Sequence, residues 1–100
     1  MAKQQSSTKE RDITKTNEPR QYKEIMHNDD VTTMDFVVFV LQNIFFKNHE
    51  EAYNLMMKIH TKGSAVVGVY PYDTAVSKSM KTIRLATQHN FPLKVTWQQE

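Results

Sequence analysis

Asn28, Asp29 and Asp30 place three oxygen-bearing side chains on consecutive residues, and His60 offers a further acceptor if its imidazole is neutral. Acceptors and carboxylates of this kind suit a cation or an ammonium group, whose N–H donors form short charge-assisted hydrogen bonds. Each feature also has an ordinary reading. Asn and Asp close turns by bonding to nearby backbone, and a positive side chain is favourable near a helix C-terminus. Spacing alone leaves both readings open. Metal chemistry finds little support, because His27, His49, His60 and His89 form no His-x-x-x-His pair and stand at least eleven positions apart. Adjacent Asp residues without further ligands do not make a calcium loop. No serine occupies a nucleophile-type glycine turn. Asp29 and His60 could in principle act as the acid–base pair of a small hydrolase, but no nucleophile, metal or oxyanion donor set accompanies them. The expectation is a protein without catalytic residues, metal or cofactor. Met34, Met56 and Met57 fill a core by default and can equally line an adaptable apolar pocket.

The elements that must position these residues follow from periodicity. Tyr22 to Met26 reads as a first strand, interrupted by Lys23 and Glu24, and His27 to Asp30 as a polar turn. Thr32 is expected to cap a helix, with Asp35 three residues later as the acidic partner of a capping box. Val37, Val40, Leu41 and Ile44 form its apolar stripe. Asn48, with Glu51 three residues on, caps a second helix whose stripe is Ala52, Leu55, Met56 and Ile59. Gly63 suits the left-handed helix stop. Ala65 to Tyr70 is apolar and β-branched, hence a buried strand. Asp73 is expected to cap a third helix with Val76, Met80 and Ile83 inward, and Leu93 to Trp97 alternates as a last strand. The order strand, helix, helix, strand, helix, strand predicts an α+β fold, a three-stranded antiparallel sheet with three helices packed on one face.

Composition bounds what such a fold can do. One hundred residues make one core. Residues 1–20 contain only Met1, Ala2 and Ile13 as apolar side chains and hold five basic against three acidic residues, so they carry the whole net charge of +2. This segment cannot bury enough surface to order itself and is expected to be a flexible extension, with the folded domain over 21–100. The balanced body is a poor match for phosphate backbones, so no nucleic acid is expected. Without cysteine there are no disulfides or thiolate metal sites. No apolar run reaches a membrane span and no signal peptide is visible, which predicts a cytoplasmic protein acting as a monomer.

Three segments together resemble the ClpS family, the adaptors that deliver N-degron substrates to Clp proteases: Asn28-Asp29-Asp30-x-Thr32-Thr33-Met34-Asp35-Phe36, Met56-x-x-x-His60-x-x-Gly63, and Asn90-x-Pro92-Leu93. The resemblance runs from about Tyr22 to Trp97. It implies binding of proteins that begin with Leu, Phe, Tyr or Trp. Asn28 and His60 would accept from the α-amino group, with Asp29 acting directly or through water. Asp30 and Thr32 would shape the rim, and Met34, Val37, Met56 and Leu93 would line an apolar pocket. It also implies docking on the N-terminal domain of a Clp AAA+ unfoldase of the ClpA or ClpC type, with Asp73 and Lys78 at positions matching interface residues. Val31 replaces a frequent aromatic, Asp35 a more usual Glu, and Glu24 a common apolar residue. A protein-interaction domain of the same fold, such as the ribosomal stalk C-terminal domain, is the alternative, but it would lack the Asn-Asp-Asp turn and the His.

Overall fold

Antiparallel pairing about the first strand sets the architecture. The computed structural model describes residues 20–100, as β1 (Gln21–His27), α1 (Met34–Asn43), α2 (His49–Lys62), β2 (Ser64–Pro71), α3 (Tyr72–Gln88) and β3 (Lys94–Gln99). The extension expected over 1–20 lies, Arg20 apart, outside the described residues. Both later strands add antiparallel to β1, giving the sheet order β2-β1-β3. The strand, helix, helix, strand, helix, strand order and the α+β class are those the sequence predicts. Among the described residues no helix is long and apolar enough to cross a membrane.

Alternation along the strands separates a core face from an open one. Met26, Ala65, Val67 and Val95 are buried with Val40, Leu41, Phe45, Ala52 and Ile59 of the helices and their connections. On the open face His27 Nε2 lies 2.9 Å from Thr96 Oγ1. The β1–β2 register shifts between Glu24 and Ile25, which pair with Gly68 and Val66 and leave Val67 as the extra residue of a bulge. Gly68 is needed there, because the Tyr70 ring occupies the space where a side chain would stand.

The helix starts separate correct expectations from misplaced ones. Asn48 caps α2 in a full capping box: it accepts from Glu51 N–H at 2.8 Å, and the Glu51 carboxylate accepts from Asn48 N–H at 3.1 Å. The cap of α1 is Thr33 rather than Thr32, accepting from Phe36 N–H at 3.1 Å. Thr32 belongs to the preceding turn instead, its N–H and its hydroxyl both donating to the Asp29 carboxylate. Asp35 therefore sits in the first turn without completing a box. Asp73 does not cap α3 either. Pro71 is the N-cap, no side chain caps the helix, and Asp73 lies exposed in the first turn, where its charge complements the helix dipole.

The inward face of α3 also differs. Ala75, Ser79, Thr82 and Ala86 are buried, whereas Met80 and Ile83 are 53% and 42% exposed. Beneath these small residues lies Glu24, which faces the core and is completely buried. Its Oε2 accepts a short hydrogen bond from Ser79 Oγ, and its Oε1 has no partner among the described residues. A small, hydroxyl-bearing helix face is what allows a carboxyl group to fit under it.

Candidate binding site

Two short segments, far apart in sequence, build one cavity. β1 ends at His27, paired with Ser64 at the start of β2. Asn28 N–H then donates to Gly63 O at 2.9 Å. Gly63 is the left-handed C-cap of α2, with φ 92°, and its own N–H bonds back to Ile59 O at 2.9 Å. The turn after β1 is thereby fastened to the last turn of α2, which carries His60.

Asp29 organises the turn. Its Oδ1 accepts from Val31 N–H at 2.8 Å and Thr32 N–H at 2.7 Å, and its Oδ2 accepts from Thr32 Oγ1 at 2.7 Å. Burial pushes against ionisation of this carboxyl. The Thr32 and Val31 hydrogen bonds outweigh it and hold Asp29 below the usual carboxylate range. Three of the four lone-pair positions of the carboxylate are then occupied by the turn itself. The side chains of Asn28, Asp30 and His60 have no hydrogen-bond partner among the described residues, so their acceptors remain available.

The cavity has a volume of about 380 Å³, within the range of small-ligand sites. Asn28, Asp29, Asp30, Thr32 and His60 form its polar rim, and Met34, Val37, Met56 and Ile59 supply apolar wall. Met34, the first residue of α1, is 43% exposed, whereas Val37 and Met56 are buried at 7% and 5%. That gradient describes a mouth and a floor. Two carboxylates, Asp29 and Asp30, line it and no Lys or Arg does.

Leu93 is not among the residues bordering the cavity; like Val37 and Met56 it is buried in the shared core. Ile59, Val31 and Thr33 face the cavity without having been expected there. Ile59 was legible as the buried neighbour of His60. Val31 and Thr33 fall within the turn segment that carries the resemblance, and their placement depends on the path of the turn.

The two residues expected at a docking surface are separated. They lie five positions apart on α3 and point to opposite sides of its buried face. Lys78 is half-buried: its Nζ donates to Ile44 O at 2.6 Å and stands 4.5 Å from the ring centre of Phe46, with Tyr70 at 5.2 Å and Phe45 at 5.7 Å. Burial, then repulsion from Lys81, depress its pKa against an attraction from Glu24. Among the described residues no group of three His, Cys, Asp or Glu side chains could hold a metal.

The architecture and its acceptor-rimmed cavity define a small α+β binding domain. Sequence comparison matches residues 17–96 to the family described as ATP-dependent Clp protease adaptor protein ClpS. The chain is 48% identical to an ATP-dependent Clp protease adapter protein ClpS of Campylobacter jejuni, over 87% of this chain and 91% of that protein. A namesake from Treponema denticola is 51% identical over 77% of this chain and 76% of its own length. Among solved structures, Agrobacterium tumefaciens ClpS2 bound to L-phenylalaninamide superposes with a TM-score of 0.80 at 36% identity, covering 83% of this chain and all of that one. The chain belongs to the ClpS family, adaptors of the ATP-dependent Clp protease rather than proteases themselves.

Proposed function

We propose that the cavity captures the first residue of a substrate protein and that the adaptor passes the captured protein to a Clp AAA+ unfoldase. The carrying observation is the pairing of an apolar floor with a rim of free acceptors and no cation. A protein N-terminus matches both halves at once, since its ammonium group and first side chain leave the same carbon atom. Asn28 and His60 accept from the ammonium. Asp29 holds the turn and offers its remaining lone pair, directly or through water. Asp30 adds negative potential, and Thr32 keeps the rim in place. Phe, Leu, Tyr or Trp enters between Met34, Val37 and Met56, with Ile59 completing the floor. The phenylalanine derivative bound by the Agrobacterium relative supports this reading.

Burying a Leu or Phe side chain contributes roughly 1.5–3 kcal/mol. Met34 at the mouth narrows entry for side chains branched next to the backbone. An acid–base hydrolase is not favoured, because the Asp29 carboxylate is engaged in holding its own turn. For delivery, the unfoldase N-terminal domain docks around the exposed Asp73, and Lys78 contributes by holding the α1–α2 corner against α3.

The test is fluorescence anisotropy with a labelled peptide beginning with free Phe and with its acetylated twin. Acetylation removes the charge and two donors, so the free peptide binds and the acetylated one does not. Equal affinity for the two would refute the assignment. Met34→Ala is expected to admit Ile and Val; continued rejection of both would remove Met34 from the gate.

A further inference from the structure

The chain has six methionines and no cysteine. Reversible oxidation of its side chains by a peroxide therefore falls to thioether sulfurs, and exposure decides which of them react. Met26 and Met56 are buried, and Met57 packs partly buried against the core. Met34 and Met80 are 43% and 53% exposed. Met80 lies on α3 and does not border the cavity, whereas Met34 lines its mouth. One accessible methionine thus stands in the site and one stands outside it.

Position decides what oxidation does at each. A sulfoxide at Met34 replaces an apolar thioether with a strongly polar S–O group. Met34 shares the apolar wall with Val37, Met56 and Ile59, and none of those side chains has a hydrogen-bond donor. An apolar side chain entering past Met34 takes water from the new oxygen and leaves it unpaired, which disfavours entry. The ammonium at the rim does not compensate. It has three N–H donors, and Asn28, Asp29, Asp30 and His60 already offer it more acceptors than that. At Met80 the same oxygen stays in water and touches nothing in the cavity.

We infer that Met34 is a redox modification site, through which a peroxide closes the cavity to apolar N-termini. The inference rests on the N-terminus reading of that cavity. In the reaction the Met34 sulfur attacks one peroxide oxygen, an S–O bond forms and the O–O bond breaks. The proton on the transferred oxygen passes to the departing hydroxide, which leaves as water. Sulfur loses two electrons and the peroxide gains them. A dithiol acting through methionine sulfoxide reductase reverses the change, becoming a disulfide as the sulfoxide oxygen leaves as water.

The test treats the full chain with hydrogen peroxide and samples it over time. Peptide mass spectrometry follows each methionine, anisotropy with the free Phe peptide follows binding, and circular dichroism checks that the fold is kept. Met34 and Met80 oxidise before Met26 and Met56. Affinity falls about tenfold in step with Met34 oxidation and returns after reductase treatment. Saturating Phe peptide slows Met34 oxidation about fivefold or more and leaves the Met80 rate unchanged, because coupling between the two events is reciprocal. Met80→Leu keeps both the basal affinity and the sensitivity to peroxide. Met34→Leu, compared with its own untreated sample, loses the sensitivity. Complete Met34 oxidation without loss of affinity, a loss that persists in Met34→Leu, or a Met34 rate indifferent to the peptide would each overturn the inference. Failure of the untreated chain to bind the free Phe peptide would instead refute the N-terminus reading, and this inference with it.

Discussion

Glu24 ties the stability of the fold to pH. Its carboxyl is completely buried under α3, with one oxygen accepting from Ser79 and the other unpartnered. Burial raises its pKa from 4.5 to about 7, against the opposing pull of the Ser79 hydrogen bond and the Lys78 charge. Below the ordinary value, folded and unfolded chains are both protonated and nothing is lost. As pH climbs from 4.5 to about 7, the unfolded chain sheds its proton while the folded one keeps it, so stability falls. Above that the loss levels off. Each pH unit of separation is worth roughly 1.4 kcal/mol, which makes the whole effect about 3 kcal/mol. Urea unfolding of the wild type and of Glu24→Gln, at a series of pH values from about 5 to about 8, isolates it. Gln keeps the shape and cannot ionise, and the titrations of His27 and Asp29 are common to both proteins and cancel. The stability difference moves in favour of Gln by about 2–3 kcal/mol as pH rises. A difference that stays constant with pH would refute the reasoning, whatever its size.

Four further outcomes are expected. Asp29→Ala releases the Val31 and Thr32 donors, lowering stability by about 1–2 kcal/mol and weakening the Phe peptide at least tenfold. Because Asp29 is held below the usual carboxylate range, thermal melts show that stability difference shrinking as pH falls below 3.8. Gly63→Ala meets no neighbour within 4 Å but strains a backbone at φ 92°. It costs about 1 kcal/mol, read as a Tm lower by roughly 4–8 °C. Lys78→Met removes the hydrogen bond to Ile44 O and the charge above Phe46, costing about 1–2 kcal/mol in urea unfolding. Asp73→Ala leaves stability within about 0.5 kcal/mol, so any loss of unfoldase affinity it causes is a surface effect.

The sequence made the element order legible because its punctuation is local. Asn48 with Glu51, Gly63, and the β-branched run before Pro71 each declare an element by nearby chemistry. The rim was legible for the same reason, since Asn28 to Asp30 and His60 are unusual acceptors at the ends of elements. Hydropathy misled where two faces of α3 competed. Met80 and Ile83 make the stronger apolar period, yet Ala75 and Ser79 face inward because the sheet beneath carries Glu24 and leaves little room. Thr32 and Thr33 are equal as caps until Asp29 claims the first. Leu93 precedes β3, which begins one residue later than the alternation suggests.

The bond from Asn28 N–H to Gly63 O carries a consequence for the life of the chain. The two halves of the cavity stand on either side of a loop whose ends are joined by this bond and by the pairing of His27 with Ser64. Such a closure brings its reward only after both strands exist. A nascent chain therefore has no cavity until β2 has left the ribosome, and one whose sheet has opened loses the cavity at once. An occupant, in turn, draws the sheet shut by mass action. The cavity thus exists only in the chain whose sheet is paired.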